Sequence, residues 1–85
     1  MKPADTTEAN DRHALGQALR ELRRQAALTQ EELGAHMGID ATYISRVEGG
    51  RINLRWATLQ RFLRALDAPL ADLAAEVERQ ERRQS

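Results

Sequence analysis

The chain contains no cysteine among its 85 residues. Disulfides and thiolate metal sites are therefore excluded, and the hydrophobic core alone must hold the fold, as is common in a reducing cytosol. Aromatic residues are also scarce, with one each of Trp, Tyr and Phe. Since 41% of the residues are apolar, the composition predicts one small domain with a core built from leucine and alanine.

The sequence also lacks long apolar segments. No apolar run approaches the roughly 18 residues that a membrane span needs. The first eleven residues, MKPADTTEAND, have no apolar core of the kind found in signal peptides. We therefore expect a cytoplasmic protein that does not engage a membrane.

Residues suited to catalysis or metal binding are few. His13 and His36 have polar neighbours, and neither has a third ligand or a nucleophile nearby in sequence. The glycines match no phosphate-binding loop. We expect both histidines to lie on the surface, and we expect no metal, no other cofactor and no enzymatic activity.

The formal net charge is zero, but the charges are unevenly distributed along the chain. Residues 1–11 and residues 65–85 each carry a net charge of minus two, whereas residues 40–64 carry plus three. The positive charge of residues 40–64 comes from five arginines, Arg46, Arg51, Arg55, Arg61 and Arg64. A local basic patch of this kind is enough to contact nucleic-acid phosphates, although a solvated arginine-rich surface is the alternative.

The segment TQEELGAHMGIDATYISRVE, residues 29–48, predicts two short helices joined by a tight turn. Thr29 and Glu32 form a capping box that starts a helix at Gln30, and Gly38 ends that helix. Asp40 then caps a second helix whose apolar residues, Ile44 and Val47, face inward. Its other face carries Ala41, Thr42, Ser45 and Arg46, side chains of the types that reach base edges in a major groove. An ordinary helical hairpin with a solvated polar face is the alternative.

Three further helices are predicted around this pair. The first has an apolar stripe of Leu15, Leu19, Leu22 and Ala26. Asn53 caps the fourth, whose predicted core face is the largest in the chain and comprises Trp56, Leu59, Phe62, Leu63 and Leu66. Pro69 begins the fifth, which carries a narrow stripe of Leu70, Leu73, Ala74 and Val77. We expect a disordered arm over residues 1–10, the folded domain over 11–79, and a charged, frayed tail over 80–85.

From about Leu15 to Leu73 the sequence resembles the lambda-repressor-like regulators, also called the Cro/C1 or xenobiotic-response-element type. The matching motifs are LRELRRQAALTQEEL, a glycine at the turn, YISRVEGG, an Asn-Leu pair and TLQRFLRAL. The resemblance implies an all-α fold of five helices with a helix-turn-helix at the second and third. DxTYIS followed by a glycine-containing loop and the Asn-Leu pair is similar, more weakly, to controller proteins of restriction-modification systems.

The resemblance also implies roles for individual residues. It implies base reading by Ala41, Thr42, Ser45 and Arg46, within a recognition helix of about residues 41–49. It implies backbone contacts by Gln30, Tyr43, Arg51 and Asn53, with Gln30 also supporting the recognition helix. Arg23 and Glu48 match a pair that forms a salt bridge in relatives. Ala27 stands where the family often has glycine, so a left-handed conformation there would be strained.

Two classes of function follow from these observations. In the first, a homodimeric regulator binds a palindromic double-stranded DNA operator and blocks or recruits RNA polymerase, with Leu70, Leu73 and Val77 as the expected dimer interface. Closure of the core by the same three residues is the alternative. In the second class, an antitoxin-type module binds a toxin and its DNA binding is secondary. The short charged tail offers no obvious toxin-binding segment, which favours the regulator.

Overall fold

The computed structural model describes the backbone of residues 4–84 and the side chains of residues 11–84. Over these residues the chain forms five α-helices and no β-strand. The helices are α1 (Ala4–Gln25), α2 (Gln30–Met37), α3 (Ala41–Glu48), α4 (Trp56–Leu66) and α5 (Leu70–Gln84). The predicted all-α fold of five helices is confirmed.

The boundaries of α2 and α3 follow the capping signals in the sequence. Thr29 Oγ1 accepts a hydrogen bond from the Glu32 backbone N–H at 3.0 Å, and Glu32 Oε1 accepts one from the Thr29 N–H at 2.8 Å. This is the predicted capping box. Gly38 ends α2 in the left-handed conformation, with φ at 69°. Asp40 Oδ1 then accepts from the Thr42 N–H at 2.7 Å and starts α3.

The first helix begins at Ala4, well before the predicted end of a disordered arm at residue 10. The structure therefore differs from that prediction over residues 4–10, while residues 1–3 lie outside the described part of the chain. The sequence contains neither proline nor glycine between Ala4 and Gly16. Since nothing in this stretch interrupts the backbone hydrogen bonds, a helix anchored further along the chain can extend through it although it lacks an apolar stripe.

The fifth helix continues to Gln84, whereas the sequence predicted a frayed tail over residues 80–85. Side-chain hydrogen bonds along one face of the helix account for part of the difference. Glu76 is only 2% exposed, and it accepts hydrogen bonds from Arg79 Nε at 3.0 Å and from Gln80 Nε2 at 2.8 Å. Burial acts to raise the pKa of Glu76, but these hydrogen bonds outweigh it, so the pKa lies below its ordinary value.

The fourth helix begins two residues later than predicted. Arg55, not Asn53, occupies the N-cap position, and its side chain makes no capping hydrogen bond. Residues 51–55 are non-helical and alternate in burial: Ile52 and Leu54 pack against the core, whereas Asn53 is exposed. The loop therefore stays extended long enough to place two apolar side chains on the core, and the capping preference of Asn53 is overridden.

The core gathers side chains from all five helices. Its most fully buried large apolar residues are Leu19, Leu33, Ile44, Val47 and Phe62. Two predictions about apolar residues are wrong: Ala26 is exposed because α1 ends at Gln25, and Trp56 is 55% exposed. Trp56 lies in the first turn of α4, and the core face of that helix is formed by Phe62, Leu63 and Leu66, with Leu59 partly buried against it.

Helix α1 approaches the end of α3 closely enough to require a glycine. A Cβ atom added to Gly16 would lie 2.8 Å from the Glu48 carbonyl oxygen and even closer to that of Val47. Real Cβ atoms essentially never make contacts this short. Gly16 therefore sets the separation between the helix that anchors the domain and the helix that carries the predicted reading face.

Candidate nucleic-acid interface

The two faces of α3 have opposite character. Ile44 and Val47 are buried in the core, as predicted. On the outward face, Thr42, Ser45 and Arg46 are exposed and Ala41 is partly exposed. Arg46 forms no hydrogen bond or ion pair with any residue that the structure describes. The structure thus places all four predicted base-reading residues on one helix, with a long cationic side chain free to reach a ligand.

The position of α3 is fixed by hydrogen bonds to its last residue, Glu48, which is only 4% exposed. Arg23 Nε donates to Glu48 Oε2 at 2.6 Å, and Arg23 Nη2 donates to Glu48 Oε1 at 3.0 Å. The predicted ion pair between α1 and the end of α3 is therefore present. A bidentate arginine–carboxylate pair is both stronger and more directional than a single charged contact, so it restricts how α3 can rotate on the core.

Other side chains complete the surroundings of this ion pair. Gln30, the first residue of α2, donates through Nε2 to Glu48 Oε1 at 3.0 Å. Arg23 Nη1 donates to the Leu28 carbonyl oxygen at 2.7 Å. The hydrogen bond to Glu48 raises the pKa of Arg23 above its ordinary value, so the guanidinium remains charged. The structure bears out one of the two roles expected of Gln30, which is to support the recognition helix.

Sequence reasoning missed two residues beside this network. Gln17 Nε2 donates to the backbone carbonyl oxygen of Glu48 at 3.2 Å, which satisfies an acceptor at the end of α3. Arg20 is exposed and lines a cleft that also contains Gln30 and Ser45. The spacing of Gln17, Arg20 and Arg23, each three residues apart on α1, was the signal that they share a helix face.

The residues predicted to contact the DNA backbone lie on both sides of α3. Gln30 precedes it in the cleft, while Arg51 and Asn53 are exposed in the loop that follows it. Tyr43 is partly buried and packs against the core. Its ring therefore has a structural role whether or not its hydroxyl contacts a ligand.

Positive charge predominates on the exposed surface around α3. Arg46, Arg51 and Arg55 are exposed, whereas the carboxylate of Glu48 is buried and neutralised by Arg23. Asp40 is occupied in capping the helix, and hydrogen bonding from Thr42 holds the pKa of Asp40 below its ordinary value. The acidic residues of residues 40–64 thus serve the fold, and the exposed arginines determine the local field.

Other kinds of site find no support in the described part of the chain. His13 and His36 are exposed, and no group of three or more His, Cys, Asp or Glu side chains is arranged to hold a metal ion in that part. Among the helices of residues 4–84, none combines the length and apolar character that crossing a bilayer requires.

The predicted dimer-interface residues do not share one open surface. Leu73 is 3% exposed and belongs to the core, and Val77 is partly buried against that core. Only Leu70 is exposed, at 50%. The expected interface of Leu70, Leu73 and Val77 therefore needs correction, because α5 packs against α1 and turns Leu73 and Val77 inward.

Comparisons with known proteins agree with this arrangement. A sequence profile for a helix-turn-helix domain matches residues 14–76. Control protein C.MunI from Mycoplasma sp is 30% identical over 66 residues, which cover 76% of this chain and 89% of that protein.

Two solved structures are similar over most of the chain. The restriction-modification controller protein C.AhdI from Aeromonas hydrophila is 36% identical, with a TM-score of 0.69, over 74% of this chain and 96% of that one. The clp gene regulator ClgR from C. glutamicum is 34% identical, with a TM-score of 0.76, over 80% of this chain and 87% of that one.

The fold and the outward face of α3 define a helix-turn-helix protein. Because the profile spans most of the sequence, the chain belongs to the helix-turn-helix family of DNA-binding transcriptional regulators, and it is of the Cro/C1 type. Within that family it resembles the restriction-modification controller proteins.

Proposed function

We propose that the protein is a sequence-specific transcriptional regulator that acts in the cytoplasm as a homodimer on a palindromic operator, with α3 in the major groove. The observation that carries the proposal is the combination of a free outward face on α3 with a buried, bidentate ion pair that fixes the same helix. A reading helix must be held in a defined orientation, because a base-edge hydrogen bond depends on its geometry.

Arg46 is the residue that contributes most to specificity in this proposal. Its guanidinium can donate two hydrogen bonds to O6 and N7 of a guanine, a contact worth about 1–3 kcal/mol of discrimination. The methyl groups of Ala41 and Thr42 can contact a thymine methyl, and the Ser45 hydroxyl can pair with several base edges. Because Ala41 offers no hydrogen bond, part of the specificity comes from DNA shape.

Phosphate contacts flank the reading helix on both sides. Gln30 lies in the cleft next to Ser45, and Arg20 lines the same cleft and adds a positive charge there. Arg51 and Asn53 extend from the loop after α3, and the Tyr43 hydroxyl is a further donor. Contacts of this type fix the register of a protein on the duplex and supply most of the salt-dependent affinity.

The homodimer and the palindrome follow from the limited reach of one reading helix. One such domain contacts only a few base pairs, whereas two copies related by a two-fold axis contact two half-sites about one helical turn apart. The similarity to C.MunI and C.AhdI supports a controller-type role, in which a small protein regulates genes through its own concentration.

Selection from a pool of random duplexes, followed by binding titrations, tests the proposal. We expect an enriched sequence with two-fold symmetry and a preference over random duplex. Affinity should fall about 10³- to 10⁵-fold between roughly 50 and 200 mM salt if 6–10 phosphates are contacted. Failure to enrich any sequence, together with salt-insensitive binding, would overturn the proposal.

A further inference from the structure

A shallow groove lies between the start of α4 and the α4–α5 junction, on a surface separate from the predicted reading face. We call it the Trp56 groove. Its apolar wall consists of Trp56, Leu63, Ala68, Pro69 and Leu70, and its polar lining includes Arg64 and Asp67. No residue of α3, or of the cleft that contains Gln30 and Ser45, lines it.

The Trp56 groove holds the two largest exposed apolar side chains of the described part of the chain. Trp56 is 55% exposed and Leu70 is 50% exposed, whereas the other large apolar residues there are buried or partly buried. Tryptophan is enriched among the residues that contribute most to binding energy at protein interfaces. Two such side chains in one groove therefore indicate an interaction surface more strongly than scattered exposed residues would.

The charges of the groove identify its partner. Arg64 and Asp67 have opposite signs, line the same groove, and form no ion pair with each other or with any residue that the structure describes. A surface carrying one cation and one anion is complementary to itself when it is rotated by two-fold symmetry. In such an isologous contact Arg64 of each copy faces Asp67 of the other.

We propose that the Trp56 groove is the dimer interface, and that its partner is the same groove on a second copy of this chain. The inference rests on the proposed homodimeric function and names the surface responsible for it. Trp56 of each copy packs into the groove of the other, and two reciprocal Arg64–Asp67 pairs set the register. Since α3 contributes nothing to the groove, both recognition helices stay free to bind DNA.

Sedimentation velocity of the full chain, without DNA, tests the proposal over roughly 1–100 µM, the range in which a micromolar dimer dissociates. The variant Trp56→Glu should raise the dimer Kd at least about 30-fold, because a charge replaces a residue central to the interface. The matched control is Ala74→Glu on the exposed part of α5, outside the groove. It should leave the dimer Kd unchanged, and circular dichroism should show both variants to be folded.

Charge exchange provides a second test that loss of folding cannot imitate. Arg64→Glu and Asp67→Lys should each weaken self-association, because like charges then face each other across the two-fold axis. Mixing the two single variants should restore association, since each copy then presents the charges that the other lacks. Failure of the mixture to associate more strongly than either variant alone would overturn the reciprocal pairing.

The outcomes separate this inference from the proposed function. A wild-type dimer that Ala74→Glu dissociates and Trp56→Glu does not would place the interface on the outer face of α5 and overturn the inference, while leaving a homodimeric regulator intact. A wild-type chain that stays monomeric would overturn both the groove interface and the homodimer. In either case, binding of Trp56→Glu to a single DNA half-site should match that of the wild type, because α3 is untouched.

Discussion

Arg23 of α1 donates two hydrogen bonds to the carboxylate of Glu48, the last residue of α3, at 2.6 and 3.0 Å. Because Glu48 is almost fully buried, removal of Arg23 would leave an uncompensated charge in the protein interior. We predict that Arg23→Met lowers the free energy of unfolding by about 3 kcal/mol. The double variant Arg23→Met with Glu48→Leu should lose less than the two single variants combined.

Urea denaturation of the four proteins in this double-mutant cycle measures the coupling. The neighbouring Arg24 is exposed and has no part in the network, so Arg24→Met provides a matched surface control. If the losses from Arg23→Met and Glu48→Leu were simply additive, the ion pair would not be the element that holds α3 to α1.

Gly16 provides a test of the close approach between α1 and α3. Replacement of a glycine inside a helix by alanine ordinarily stabilises it by about 0.5–1 kcal/mol. At Gly16 the new methyl group would collide with the Val47 and Glu48 carbonyl oxygens, so we predict that Gly16→Ala destabilises the fold by about 1–3 kcal/mol. The ordinary preference is calibrated by Ala74→Gly at an exposed position of α5. Stabilisation by Gly16→Ala, measured by thermal unfolding, would refute the close approach.

Ala27 has the left-handed conformation, with φ at 60°, just after α1. A Cβ atom makes this conformation costly, by roughly 1–2 kcal/mol relative to glycine. We therefore predict that Ala27→Gly stabilises the protein by up to about 1 kcal/mol, once the larger entropy of an unfolded glycine is allowed for. The comparison variant is Ala35→Gly in the middle of α2, which should have the opposite sign. Equal destabilisation by both changes would contradict the strain at Ala27.

The cap of α3 predicts a pH dependence. Hydrogen bonding from the Thr42 backbone N–H holds the pKa of Asp40 below its ordinary value of 3.8. A carboxyl group with a lower pKa in the folded state stabilises the fold above its unfolded pKa, and this contribution is lost as the pH falls through the folded pKa. An asparagine side chain would cap the helix without titrating, so Asp40→Asn should lose less melting temperature than the wild type between about pH 5 and pH 2. Parallel pH profiles for the two proteins would show that the Asp40 cap does not contribute.

The helix-turn-helix was predictable because its signals are local. Thr29 and Glu32 satisfy each other across one helical turn, and Gly38 and Asp40 mark the next end and start within a few residues. The orientation of α3 also follows from local periodicity, since Ile44 and Val47 are its apolar residues. None of these features depends on a distant part of the chain.

The predictions that failed depend on tertiary packing. Asn53 is a good cap, but packing of Ile52 and Leu54 on the core delays the start of α4. The stripe on α5 was recognised, but whether Leu73 faces the core or a second copy depends on where α1 lies. For the same reason, sequence periodicity alone could not show that Trp56 lies outside the core.

The central claim is that α3 reads DNA through Arg46, and a comparison of two arginine variants tests it most directly. Arg46→Ala removes the free side chain of the reading face, and Arg82→Ala removes one equal charge from an exposed position in the last turn of α5. Binding to the selected operator and to random duplex should be measured for both at one salt concentration. We predict that Arg46→Ala weakens operator binding about 5- to 150-fold and relaxes preference at one base pair, while Arg82→Ala changes neither. Equal operator affinity and equal preference in Arg46→Ala and the wild type would contradict the claim.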